Sequence, residues 1–389
     1  QMSSVSISAA FDSGNIEVVD IKDGCIALNI RDEPFTVSEN RQHKQWFHFR
    51  ALGVKDVECV YTILNAHDCS FPDAWPGFNI CASYDRSFWF RVPGSYEDGK
   101  LTWSLKSEHS EVYFALFVPY SQERHLDLIS KVSASDRAIV RSIGKTLDGR
   151  DLDLLVFGTG PLKIWAIARQ HPGESMAEWW MDGYINRLLD PVDAVVRKLL
   201  NEATFYVIPN MNPDGSVRGH LRTNACGANL NREWANSGIY KAPTLERSPE
   251  VFHALREIDA AGCDMFIDVH GEEELGMNFI AGLEGIPSWG PRLQDLQSKF
   301  LSILVEVNPD MQSKPGYDIP GPEGANLAVC SNQIGQRFDC LSFTLEMPFK
   351  DTSYDPEPVQ EWSNERSQRL GASFLDSILR VLPDLRSSE

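Results

Sequence analysis

The sequence is poor in basic residues and has no long apolar run. It holds 36 Lys and Arg against 55 Asp and Glu, a formal charge of −19. Phosphate backbones and anionic bilayers recruit proteins through basic patches, so neither nucleic acid nor a membrane surface is an expected partner. No stretch approaches the roughly 20 apolar residues of a membrane span. The opening residues Gln1-Met2-Ser3-Ser4-Val5-Ser6 have neither the basic region nor the apolar core of an export signal. Cys25, Cys59, Cys69, Cys81, Cys226, Cys263, Cys330 and Cys340 form no CxxC pair. Several sit beside apolar residues, as in Leu327-Ala328-Val329-Cys330, which is the setting of buried thiols rather than of disulfides or a cysteine metal cluster. Together these absences predict a soluble, cytoplasmic protein in a reducing compartment.

What is present is an ordinary globular composition, 42% hydrophobic and 23% charged. At roughly 150 residues per domain, the 389 residues leave room for two or three domains. From the start to Tyr120 the pattern is short, alternating and rich in β-branched and aromatic residues. Its expected strands are Gly14 to Asp20, Cys25 to Arg31, Trp46 to Ala51, Cys59 to Leu64, Ser87 to Val92, Leu101 to Leu105 and Glu111 to Val118. Turn residues such as Lys22-Asp23-Gly24 and Glu97-Asp98-Gly99 separate them. Residues 1–120 therefore read as an antiparallel β-sandwich.

After Pro119 helical and strand patterns alternate, beginning with a helix from Ser121 to Val132. Strands are expected at 138–143, 152–157, 163–168, 204–208, 264–269 and 342–345, and helices at 174–189, 192–201, 249–260, 289–304 and 359–381. Residues 121–389 thus read as an α/β domain on a mixed sheet, whose ligand site should lie at the carboxyl ends of strands.

Four segments carry chemistry. In Ala168-Arg169-Gln170-His171-Pro172-Gly173-Glu174-Ser175, a strand-end imidazole and a first-turn carboxylate can converge on one ion. Taken alone, the pair is better read as a surface histidine and a glutamate favoured by a helix dipole. His270 closes the apolar strand Met265-Phe266-Ile267-Asp268-Val269 and would supply the third ligand of a His₂Glu zinc site with one position open to water. The turn-rich loop from Asn210-Met211-Asn212-Pro213-Asp214-Gly215 to Asn229-Leu230-Asn231-Arg232 gathers Arg218, Arg222 and Arg232. Guanidinium groups there could bind a carboxylate or stabilise an oxyanion. In Phe343-Thr344-Leu345-Glu346-Met347-Pro348 a carboxylate sits inside an apolar strand. An unpaired buried glutamate is costly, so Glu346 should have a polar partner or face a cleft, where it could act as general base.

This series resembles the zinc metallocarboxypeptidases related to carboxypeptidase A. The N-terminal sandwich, with Trp46-Phe47-His48-Phe49-Arg50 and Val112-Tyr113-Phe114-Ala115, is similar to the cytosolic carboxypeptidase subfamily. The resemblance implies one zinc ion held by His171, Glu174 and His270. It implies Arg222 on the scissile carbonyl, Asn231 and Arg232 on the terminal carboxylate of a peptide or protein substrate, and Glu346 as base on a zinc-activated water. Tyr317, in Pro315-Gly316-Tyr317-Asp318, would be the tyrosine that closes over substrate.

There are departures. Asn229 stands where the family commonly has an Asp that steadies a zinc-binding histidine, which predicts weaker zinc binding. The segment Gly324-Ala325-Asn326-Leu327-Ala328-Val329 lacks the basic residue that deglutamylating members use. Two other readings compete: a zinc amidohydrolase acting on N-acyl amino acids, and a catalytically silent binding protein built on the sandwich.

Overall fold

The computed structural model describes residues 4–36 and 42–387. The first three residues, on which part of the export reading rests, lie outside the described residues. No helix among the described residues is long and apolar enough to cross a membrane.

The N-terminal part is a pair of five-stranded sheets. One runs in the order Ser6–Ser8, His48–Leu52, Glu111–Ala115, Ile80–Ser83, Phe90–Val92. The other runs Glu17–Lys22, Cys25–Asn29, Glu58–Ile63, Lys100–Lys106, Gly94–Glu97. Aromatic side chains pack between them, with the Tyr61 and Phe114 rings 4.7 Å apart and Trp103 5.4 Å from Phe114. One neighbouring pair, Cys25–Asn29 with Glu58–Ile63, is parallel within an otherwise antiparallel arrangement. The strands at 6–8, 80–83 and 94–97 carry no sequence signal because each spans only three or four residues and takes its shape from its neighbours.

The remainder is built on a seven-stranded mixed sheet. Its central strands Ala203–Ile208, Leu162–Ala168, Met265–Glu272 and Leu341–Pro348 run parallel in that spatial order. They read as continuous apolar runs because both faces are covered. Ile164, Ala166 and Ala168 face helices Met176–Leu188 and Asn364–Val381. Trp165 and Ile167 face the opposite layer, with helices Pro249–Ala261 and Cys330–Phe338. Each fully buried isoleucine there contributes about 1.5–3 kcal/mol.

Caps mark the helix starts: the Ser121 side chain accepts from Arg124 N, Asp193 from Val195 N and Ser363 from Arg366 N. The last helix begins at Asn364, five residues later than expected. The skipped segment is held by the sandwich instead. Arg91 donates its backbone N–H to Val359 O at 2.8 Å and its Nη2 to Phe349 O and Trp362 O.

Sandwich and α/β part share one continuous apolar core, and the loop 217–223 is a second seam between them. Ser13 N donates to Val217 O at 2.9 Å and Asn15 Nδ2 to Gly219 O at 3.0 Å.

Candidate active site

The parallel strands end side by side, and their carboxyl ends carry the chemistry. His270 and Glu346 are register partners on adjacent strands. The Leu162–Ala168 strand runs out into the turn that holds His171 and Glu174, with Glu174 N donating to His171 O at 3.2 Å. Immediately before that turn Arg169 adopts a left-handed backbone conformation, φ 60°. Its side chain holds the strain in place, donating to Pro172 O, Tyr120 O and the buried Glu178 carboxylate.

His171, Glu174 and His270 are all buried, and one donor atom from each lies within 4.8 Å of the others. His171 Nδ1 is 2.7 Å from Glu174 Oε2, and His270 Nδ1 is 3.0 Å from Glu174 Oε1. The far side of each ring also meets an acceptor: His171 Nε2 lies 2.9 Å from Asn229 Oδ1, and His270 Nε2 lies 2.7 Å from Asp268 Oδ2. Asn229 Oδ1 accepts from Asn231 N as well, which fixes the amide orientation. Each imidazole is therefore flanked by two acceptors. With the Nε2 hydrogens facing outward, both Nδ1 lone pairs converge on a carboxylate, an arrangement that suits a cation between them. The donor set and its tautomers fit a zinc ion.

Electrostatics follow the same geometry. Burial raises the Glu174 carboxyl, but the two imidazoles outweigh it and hold the group below its ordinary range. Burial lowers His171, helped by Arg222. For His270, Asp268 and Glu174 overcome burial and push it up. Burial, with the surrounding carboxylates, pushes Glu346 and Glu273 well above the usual carboxylate range.

These groups line a cavity of about 410 Å³ that also includes Arg222, Asn231, Arg232 and Tyr317. Glu346 Oε2 is buried with no hydrogen-bond partner among the described residues. Asn231 sits in the short turn Leu230–Arg232 and spends its Oδ1 on Gln170 Nε2 and Cys330 N, which turns its amide nitrogen toward the cleft. Tyr317 is 46% exposed, and its ring meets Phe279 edge-on at 5.1 Å. All eight residues to which the family resemblance gives a role therefore border one cavity.

Arg218 does not join them. It pairs with Asp148, Nη2 to Oδ1 at 2.7 Å and Nε to Oδ2 at 2.9 Å, on the far side of its short helix. That helix, Pro213–Arg218, explains the Asn-Pro-Asp-Gly motif as architecture. Asn212 caps it, accepting from Gly215 N at 3.0 Å, and also donates to Gln170 O.

Four participants escaped sequence reasoning. Asp268 stands behind His270, and Gln170 links Asp268 to Asn231 through hydrogen bonds of 2.6 and 3.2 Å. Phe71 of the sandwich lines the cleft with the Arg222 guanidinium 5.5 Å above its ring. Glu33 of the sandwich accepts from the backbone of Leu221, Arg222 and Thr223. Asp268, two residues before His270 in an apolar strand, was the one readable signal.

Comparison with known proteins gives the same picture. The cytosolic carboxypeptidase N-terminal domain matches residues 7–117 and the zinc carboxypeptidase domain residues 126–288. A metallo-carboxypeptidase from Burkholderia cenocepacia superposes with a TM-score of 0.92 at 43% identity, over 98% of this chain and 100% of its own. A Pseudomonas aeruginosa metallo-carboxypeptidase superposes with a TM-score of 0.91 at 43% identity, over 98% of this chain and 100% of its own. Mouse cytosolic carboxypeptidase 3 is 25% identical over 95% of this chain, which spans only 39% of that longer protein. These matches favour a peptidase over the amidohydrolase alternative. The chain belongs to the zinc metallocarboxypeptidases, in the branch that carries the cytosolic carboxypeptidase N-terminal domain.

Proposed function

We propose that this metallocarboxypeptidase divides its labour among the residues named above. His171, Glu174 and His270 would hold the zinc ion, which when bound supplies Lewis-acid chemistry and makes water a better nucleophile. Glu346 takes a proton from the attacking water at its unpartnered Oε2 and later returns it to the departing amine. Arg222 faces the scissile carbonyl and stabilises negative charge as it develops there. Asn231 and Arg232 hold the terminal carboxylate of the peptide, and Tyr317 closes over it. The observation that carries this reading is the register of Glu346 with His270, which sets the base on the strand next to a buried His-Glu-His donor set. In Glu346→Gln, hydrolysis of a peptide should fall by at least about a hundredfold while bound zinc, measured by atomic absorption, stays at the wild-type level. Retained activity would refute the role.

The pocket beside the base favours particular C-terminal side chains. Thr344 lies two residues before Glu346 on the same strand and hydrogen-bonds Ser331 at 2.9 Å. Farther along the cavity, Gln297 donates to Glu284 Oε1 at 2.7 Å. Arg222 and Arg232 are the only Lys or Arg side chains lining the cavity among the described residues. With those two arginines committed to the scissile carbonyl and the terminal carboxylate, the side-chain pocket keeps a carboxylate and no further cation, which favours a cationic or amide side chain over glutamate. In support, the Pseudomonas aeruginosa enzyme is in complex with (2-guanidinoethylmercapto)succinic acid. A panel of peptides ending in Arg, Lys, Gln or Glu should be cleaved with Glu poorest, and a preference for Glu would overturn this part of the reading.

A domain division at 120/121 belongs to the same proposal, supported by the Ser121 cap and the two matched ranges. So does a cytoplasmic location, supported by the names of the cytosolic relatives and by eight cysteines that are all free thiols.

A further inference from the structure

We propose that the N-terminal sandwich is a working part of the active site, with Glu33 as a positioning residue that sets Arg222 and Phe71 as the platform under its guanidinium. The inference rests on the role given to Arg222 above.

Glu33 is 1% exposed, and its two carboxylate oxygens are fully engaged with one three-residue stretch. Oε2 accepts from Leu221 N at 3.0 Å. Oε1 accepts from Arg222 N at 3.1 Å, Thr223 N at 2.9 Å and Thr223 Oγ1 at 2.9 Å. No cation pairs with Glu33 among the described residues, so three backbone N–H groups and the Thr223 hydroxyl hold its carboxylate. Successive backbone N–H groups converge on one anion where the chain adopts a concave, nest-like turn. The glutamate thereby selects the conformation in which Arg222 projects.

The other ends are tied as well. Glu33 is anchored in the sandwich by its own N–H, which donates to His43 O at 2.9 Å. Leu221 O accepts from Gly173 N at 2.9 Å, inside the His171–Glu174 turn, so the clamp is joined directly to the metal-binding segment. Phe71 is pinned by Gln45, which accepts from Phe71 N at 2.9 Å and donates to Phe71 O at 3.1 Å. The Arg222 guanidinium lies 5.5 Å above the Phe71 ring, and no carboxylate pairs with it among the described residues. It is held at backbone and head yet left available for an incoming carbonyl oxygen. A loop that served only to join two domains would not need its one cleft-facing arginine fixed at both ends.

The test is a double-mutant cycle on the zinc-loaded full chain, with zinc content and Tm measured for every variant. Glu33→Gln keeps the size but turns an amide N–H against backbone donors. It should lower kcat by roughly tenfold to a hundredfold, the cost of misplacing a catalytic group by a fraction of an ångström to an ångström, with KM for a peptide nearly unchanged. In an Arg222→Ala background the same substitution should cost less than about twofold in kcat. Phe71→Leu leaves the buried clamp intact and should behave the same way if Glu33→Gln does not fold. Asn15→Ala removes a different sandwich-to-loop contact, Asn15 to Gly219, and should lower Tm without the kcat loss. Equal kcat losses from Glu33→Gln with and without Arg222 would reduce the clamp to domain glue and overturn the proposal. An Arg222→Ala variant with wild-type kcat would instead overturn the role of Arg222, and the positioning inference with it.

Discussion

At the scale of single residues the site depends on what stands behind its ligands. Asp268 backs His270 with a carboxylate, whereas Asn229 backs His171 with an amide. An amide accepts the same hydrogen bond but brings no charge, so His171 is the less basic of the two ligands. Asn229→Asp should tighten zinc binding by roughly tenfold to a hundredfold, read by competition with a chromogenic chelator, and unchanged affinity would show that the charge does not matter. His171, His270 and Glu346 could be picked out of the sequence because each follows, closes or lies within an apolar strand where a polar residue is costly, and Glu174 because it opens a helix three residues after His171. Glu33 could not. It is a charged residue in a loop, 188 positions from Leu221, and only the closed fold brings the two together. Arg218 shows the reverse: three arginines close in sequence looked like one cluster, but a short helix turns Arg218 away to Asp148.

At the scale of elements, the central strands announced themselves as apolar runs, while Cys330–Phe338 did not. Its sequence contains Ser, Asn and Gly335, poor helix formers. It is helical because it packs under the sheet, where a Cβ on Gly335 would meet the Leu283 side chain at 2.7 Å. The pair Met176–Leu188 and Asn364–Val381 packs at glycines too. A Cβ on Gly183 would come within 1.9 Å of Gln368 O, and one on Gly371 within 2.0 Å of Trp180 O. Backbone cannot yield locally, so Gly183→Ala must push the helices apart. It should cost about 1–3 kcal/mol in denaturant unfolding with the metal ligands untouched, and an unchanged midpoint would contradict the close approach.

At the scale of the whole molecule, the sandwich and the α/β part meet at a buried polar junction as well as through their shared core. Asp12 of the sandwich accepts from Gln122 N, at the start of the helix that carries His125. His125 lies between Glu178 at 2.6 Å and Asp153 at 3.0 Å, and Glu178 also receives Arg169. Burial pulls the His125 ring down, but Glu178 and Asp153 outweigh it and raise the pKa to about 9. A histidine raised above its unfolded value stabilises the fold fully below about 6.5 and loses that contribution as pH rises through about 9. The amount is on the order of 3 kcal/mol. Wild-type Tm should therefore fall across that alkaline window, and in His125→Gln the slope should flatten; parallel profiles would exclude the imidazolium as its source.

The chain is a zinc metallocarboxypeptidase, and the proposal is that a pocket holding a carboxylate sets its selectivity. Mass spectrometry of a peptide library with varied C-termini tests it most directly, using the full chain loaded with zinc, then chelated, then reloaded. The expected result is stepwise loss of single C-terminal residues that stops on chelation, returns with zinc and is poorest for peptides ending in glutamate. Shortening that persists in chelator, or release of N-acyl groups with C-termini left intact, would contradict it.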